Sequence, residues 1–202
     1  MRRAFRALGH DAWSCDLLPA EDGSRYHLQC DVREVIDRGW DLMIAHPDCT
    51  YLCNSGRHWN KRVPGREAKT DEALAFVRML MAAPVPQIAV ENPVGRIGTA
   101  IRPADQYIQP HEYGHDASKR TGLWLKNLPC LKPTAHVPPR IVNGKKRWAN
   151  QTDSGQNKLA PSENRWMDRA RTYSGWADAM AHQWGGVAAE PTPEELAEGL
   201  LA

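Results

Sequence analysis

The chain has 202 residues, 42% hydrophobic and 25% charged, with a formal net charge of +2. That length fits one domain with a small appendage and allows a sizeable core. No apolar run approaches the ~20 residues of a membrane span, and Met1-Arg2-Arg3-Ala4-Phe5-Arg6 lacks the apolar stretch of a secretory signal, so a cytoplasmic protein with no membrane partner is expected.

Taken in chain order, Arg2 to Leu8 has a helical pattern with Gly9 as its C-cap. Ala12 to Cys15 is a short strand ending at Asp16, and Tyr26 to Cys30 a strand or extended loop ending at Asp31. Val32 to Arg38 is a short helix closed by Gly39. Leu42 to Ala45 is a strand of the buried type. Glu67 to Met81 is a helix with Ala73, Phe76, Val77 and Leu80 on one face, and Pro84 and Pro86 stop it before the strand Ile88 to Val90. Between them, Asn54 to Arg66 is a polar loop able to close over a substrate. Strands alternating with helices point to a parallel α/β sheet. Pro129 to Ser162 is irregular, either partly disordered or ordered by a partner. Helix returns at Gly175 to Gln183, and the acidic tail from Pro191 carries a Thr192 cap with Glu195 at capping-box spacing.

The chemistry concentrates at two strand ends. Ile44-Ala45 runs into His46-Pro47-Asp48-Cys49-Thr50, and Ile88-Ala89-Val90 runs into Glu91-Asn92-Pro93. In an open parallel sheet such ends converge on one crevice. A cysteine and a carboxylate meeting there suit nucleophilic attack coupled to proton transfer. Each residue also has a plainer role. A thiol at a strand end is often a small hydrophobe, and Glu91 is equally placed to cap a helix or pair with Arg96. Partial desolvation at the strand end is expected to raise the Glu91 pKa. The five cysteines are Cys15, Cys30, Cys49, Cys53 and Cys130, an odd and scattered set that reads as reduced thiols. Cys49 and Cys53 have no second pair at ligand spacing, so no metal is expected.

Charge is unevenly distributed. From Lys119 to Arg171 there are twelve basic residues against three acidic ones. Such a block favours a phosphate-bearing partner through counterion release, or else is a solvated surface. Within it, Trp148 follows Lys145-Lys146-Arg147 and could stack on a base or wedge a duplex.

Three segments carry a resemblance: His46-Pro47-Asp48-Cys49-Thr50-Tyr51-Leu52, Glu91-Asn92-Pro93 and Lys119-Arg120-Thr121-Gly122-Leu123-Trp124-Leu125. In this order they resemble the DNA cytosine-C5 methyltransferases, most closely the small, diverged phage-type members, over about residues 2 to 186. The resemblance implies a Rossmann-like, S-adenosylmethionine-dependent methyltransferase fold and a covalent mechanism. Cys49 would add to C6 of cytosine, with Glu91 protonating or hydrogen-bonding N3 and Arg120 also in the catalytic set. Asn92 and Lys119 would lie at the substrate, with Lys145, Lys146, Arg147 and Trp148 contacting DNA. Asp16 would hold the cofactor ribose and Asp31 its adenine, with Pro47 also against the cofactor. The base would have to leave the duplex stack, and a phage-encoded member would work in the host cytoplasm.

Against that family the chain begins inside the first helix, so an N-terminal truncation lacking the first strand and glycine-rich loop is expected. A homodimer or a partner chain could complete the sheet. Asp48 stands where relatives have proline, and its charge is expected to raise the Cys49 pKa. The implied organisation is a catalytic core over 1–128, a basic insertion over 129–162 serving as a minimal target-recognition region, and a helical segment with acidic tail over 163–202. Two rivals remain: a nucleic-acid-binding descendant without activity, and an enzyme acting on free pyrimidine nucleotides.

Overall fold

The computed structural model describes residues 1–60, 62–163 and 165–186. The expected capping box at Thr192 and Glu195, and the acidic tail, lie outside the described residues. The first helix, α1 (Arg2–Ala7), ends before Gly9, whose φ of 89° takes the chain out of the helix. Two short strands follow, β1 (Ser14–Asp16) and β2 (His27–Gln29), paired in parallel. A 3-10 turn at Val32–Glu34 then leads to β3 (Leu42–Ala45).

From β3 the chain crosses through α2 (Arg66–Met81) to β4 (Gln87–Pro93). The helix has neither glycine nor proline inside it, and it buries Thr70, Leu74, Val77 and Leu80 at helical spacing. A short α3 (Ile97–Ala100) precedes β5 (Gln106–Ile108) and β6 (Thr121–Lys126). The strand order is β3-β4-β6-β5. β3 and β4 are parallel, whereas β6 is antiparallel to both β4 and β5. The parallel expectation therefore fails in this half of the sheet. A parallel return needs a crossover of a dozen or more residues, usually helical, and the four-residue α3 does not supply one. The result is a mixed α/β fold.

Strand alternation splits the core between the two sheet faces. On one face Ala89 and Leu123 pack with Phe5, Trp176, Met180 and Trp184, under α1 and α5 (Ser174–Trp184). On the other, Ile88, Val90 and Trp124 pack with Leu74, Val77 and Leu52, under α2. Each such buried apolar side chain contributes about 1.5–3 kcal/mol. β3 is half-buried along its length, because it forms one end of its sheet, where the sequence suggested a fully buried strand.

The irregular region is more ordered than its composition suggested. β7 (Arg140–Val142) and β8 (Lys145–Arg147) form a hairpin. Asn143 and Gly144, with φ of 49° and 72°, supply its tight turn. Side chains fasten the region to the core. Gln106 bonds both to and from the Leu131 backbone, Gln183 does the same at Lys132, and Trp184 donates to Pro129 O. Between this hairpin and α5 lies α4 (Arg165–Ala170).

Candidate functional site

Backbone contacts fix the cysteine loop against the end of β4. Pro47 is buried, and its carbonyl accepts a 2.7 Å hydrogen bond from Asn92 Nδ2. Arg96 N–H donates to Leu52 O at 2.7 Å, and Asn54 N–H to Val94 O at 3.2 Å. Gly95 makes this approach possible: a Cβ there would stand 1.9 Å from Leu52 O and 2.8 Å from Cys53 Cα. Arg66 Nη2 donates to Thr50 O at 2.9 Å, and Asp48 Oδ1 accepts from both the N–H and the hydroxyl of Thr50. A cleft of about 390 Å³ lies between this loop and α2, lined by Pro47, Asp48, Tyr51, Lys69, Glu72 and Phe76 among others.

Parallel register aligns Ala45 with Val90, so His46 and Glu91 emerge side by side. His46 Nδ1 lies 2.8 Å from Glu91 Oε2. Glu91 is only 7% exposed, and its Oε1 is buried with no hydrogen-bond partner. Its carboxyl pKa is lowered, not raised as desolvation at the strand end suggested. Burial does push it up, but the hydrogen bond and charge of His46, helped by Lys119, outweigh that push. Arg96, the other partner considered for Glu91, pairs with Glu67 at 3.5 Å.

Cys49 and Cys53 occupy one turn of backbone, with Cys53 N–H donating to Cys49 O at 2.9 Å. The two thiols act on each other's titration, and both side chains are half-buried. The Cys49 pKa is driven well above that of an ordinary thiol, first by the hydrogen bond it gives Cys53, then by burial, then by the charges of Cys53 and Asp48. Asp48 thus acts in the expected direction, though it is not the main cause. The Cys53 pKa falls to about 5, chiefly through hydrogen bonding by the Cys49 thiol, with Ser55 contributing further. Ser55 Oγ is 3.0 Å from its sulfur. The pair therefore loses its first proton more readily than an ordinary thiol does.

Lys119 belongs to this neighbourhood. Its charge acts on both Cys49 and Glu91, while its Nζ donates to Arg169 O at 3.0 Å and lies 5.8 Å from the centre of a Trp176 ring. Arg120 points elsewhere: it is exposed and stacks over Tyr107 at 4.1 Å.

The other sequence candidates fall into three groups. Asp16 is exposed just beside β2, with Oδ1 accepting from Leu18 N–H at 2.9 Å. Asp31 caps the 3-10 turn, and both its oxygens serve Arg33, at 2.9 and 2.7 Å. In the hairpin, Lys145 and Lys146 are exposed, whereas Arg147 is spent on the carbonyls of Lys146, Asp153 and Ser154. Trp148 stacks on His111 at 4.1 Å and donates Nε1–H to Val137 O. One ring face is covered, and the side chain is half-buried.

Sequence reasoning missed His46 as the partner of Glu91, Cys53 as the charged thiol and Gly95 as the contact point. The first was within reach, since two parallel strands ending at Ala45 and Val90 place the next residues together. The second and third depend on a backbone turn that no periodicity reveals. Comparison of the chain with protein-family models, curated proteins and solved structures finds no match.

Proposed function

We propose that this protein is a cytosine-C5 methyltransferase-like enzyme acting on DNA, built on a Rossmann-like sheet. The observation that carries the reading is the 2.8 Å contact between His46 of the cysteine loop and Glu91 of β4, with Lys119 acting on both Cys49 and Glu91. A sulfur nucleophile and a buried carboxylate are the groups that addition to a pyrimidine requires.

Each residue has a distinct part. Cys49 sulfur adds to C6 of the flipped base as the thiolate, its proton going to water. Glu91 Oε1, buried without a geometric partner, is the acceptor assigned to the base's amino edge once the loop opens to admit it, while the His46–Glu91 pair holds the proton that N3 receives. Asn92 holds the loop through Pro47, and so positions rather than reacts. Lys119 supplies positive charge beside the adduct. Exposed Lys145 and Lys146 are suited to DNA phosphates.

For the cofactor, the exposed Asp16 carboxylate fits a ribose diol, since only one of its oxygens serves Leu18. Asp31 fits less well, because Arg33 takes both of its oxygens. S-adenosylmethionine, when bound, supplies an electrophilic methyl group for the activated C5. The experiment is a covalent trap: the protein is incubated with cofactor and duplex DNA containing 5-fluorocytosine. A denaturation-resistant adduct is expected from the native chain and not from Cys49→Ser.

One feature favours a second reading, a DNA-binding descendant without activity: its neighbours and its burial push the Cys49 thiol up, away from the nucleophilic form. Calorimetry with S-adenosylmethionine separates the two. Heat of binding supports the enzyme, whereas DNA binding without it supports the descendant.

A further inference from the structure

The hairpin of β7 and β8 has two unlike faces. In its antiparallel register Arg140 stands opposite Arg147, Ile141 opposite Lys146 and Val142 opposite Lys145. Alternation therefore puts Arg140, Val142, Lys145 and Arg147 on one face, and Ile141 with Lys146 on the other. The first face turns onto the loop that follows the hairpin. Arg140 reaches Asp153 Oδ1 and Gln151 O, and Arg147 reaches Asp153 O and Ser154 O. Val142 and Arg147 are half-buried as a result. The second face is open to water, with Ile141 64% exposed and Lys146 exposed beside it. We propose that this ribbon enters the major groove of duplex DNA, with Ile141 packed on a thymine methyl group and Lys145 and Lys146 at the flanking phosphates. The assignment deepens the DNA reading, on which it rests, by naming the residue that selects sequence.

Shape favours that partner. A two-stranded ribbon fits the B-DNA major groove, which is roughly 12 Å wide. Asn143 and Gly144 close this ribbon with a two-residue turn, so its leading end is narrow.

Charge points the same way. A two-stranded hairpin is marginal in water, and here Arg140 faces Arg147 while two exposed lysines follow the turn. Like charges placed directly opposite destabilise a ribbon further. Phosphates along both walls of a groove offset that repulsion.

The root of the ribbon is held firmly. Asn150 Oδ1 accepts from Ser118 N–H at 2.9 Å, and Asn150 Nδ2 donates to Ser118 O at 3.0 Å. Ala149 N–H donates to Asp116 Oδ1 at 2.8 Å, and Trp148 stacks on His111. Ser118 adjoins Lys119, so the ribbon is anchored one residue from the cation that acts on Cys49 and Glu91.

Ile141 adds what the lysines cannot. Among the four bases only thymine shows a methyl group in the major groove, and apolar contact reads it. An isoleucine on the open face, opposite a lysine, is placed to make that contact while the cation holds the backbone. A-form RNA has a major groove too narrow for side chains to read, so the ribbon discriminates against it.

The test measures DNA binding by the whole chain without cofactor. Duplexes are selected from a random pool by the native chain, and an enriched duplex is compared with a copy carrying uracil for thymine. Loss of the methyl groups should weaken native binding about fourfold for each thymine contacted. Ile141→Ala should bind both duplexes equally and keep the native salt dependence, because no cation is lost. Methyl green, which occupies the major groove, should displace the native chain, whereas netropsin, which fills the minor groove, should not. Circular dichroism confirms that the variant is folded. The proposal is overturned if enriched duplexes show no thymine preference, if Ile141→Ala still distinguishes thymine from uracil, or if netropsin displaces the chain and methyl green does not. Failure of the 5-fluorocytosine trap with DNA still bound would leave these readouts untouched, whereas absence of any DNA binding would overturn the DNA reading as well.

Discussion

Two pairs of cysteines lie within reach of each other in this protein, and their surroundings make them chemically opposite. Cys15 is the middle residue of β1 and Cys30 follows β2, and Cys15 sulfur meets Cys30 sulfur and carbonyl, both poor at stabilising an anion. Cys49 and Cys53 sit on a clamped loop where the Ser55 hydroxyl lies 3.0 Å from the Cys53 sulfur. Distance alone therefore does not make a thiol reactive. What matters is whether the neighbours donate hydrogen bonds to the charged form.

The largest effect should appear in alkylation. Iodoacetamide at pH 6 should label Cys53 on the order of a thousandfold faster than Cys15, given thiol pKa values of about 5 and about 11. Residue-resolved labelling across pH should place the Cys53 midpoint near 5 and move it upward in Cys49→Ala, which removes the main donor. Equal labelling of the two would erase the contrast.

Next comes Gly95→Ala, whose new methyl meets Leu52 O head-on. A loss of about 2–4 kcal/mol in urea unfolding is expected, together with a Cys53 midpoint closer to that of an ordinary thiol. The Cys15 profile should not move. A variant as stable as the native chain would show that Gly95 does not set the loop.

Glu91→Gln is a smaller change that extends the contrast to the carboxylate. Because the folded Glu91 pKa lies below 4.5, the unfolded chain takes up the proton first as pH falls. The stability that Glu91 contributes is present above about pH 4.5 and lost as pH drops through the lower folded value. Urea titrations between pH 6 and 3 should therefore be shallower for Glu91→Gln. A steeper profile would reverse the sign. The smallest effect should come from Lys145→Ala with Lys146→Ala, which lowers the slope of log DNA affinity against log salt by about 2 and leaves both thiol pairs unchanged.

Much of the fold was legible because its signals are local. Leu74, Val77 and Leu80 announce α2, the prolines after it announce its end, and the short apolar runs announce β3 and β4. The antiparallel β6 was not legible, since strand direction follows from what lies between strands. The hairpin was available in Asn143-Gly144, flanked by Arg140-Ile141-Val142 and Lys145-Lys146-Arg147, but its charges hid the pattern. At the site, Cys49 and Glu91 stood out because proline and asparagine mark the ends of their strands. Cys53, His46 and Gly95 did not, because their roles arise from contacts across 4 to 45 positions of sequence.

The most direct measurement maps the trapped adduct at residue level. Native protein captured on 5-fluorocytosine DNA is digested, and the Gly39–Arg57 peptide is sequenced by tandem mass spectrometry. A nucleotide mass on Cys49, with Cys53 free, is the result expected if Cys49 and the His46–Glu91 pair form one reactive centre. Attachment at Cys53, or no attachment while DNA still binds, would contradict it.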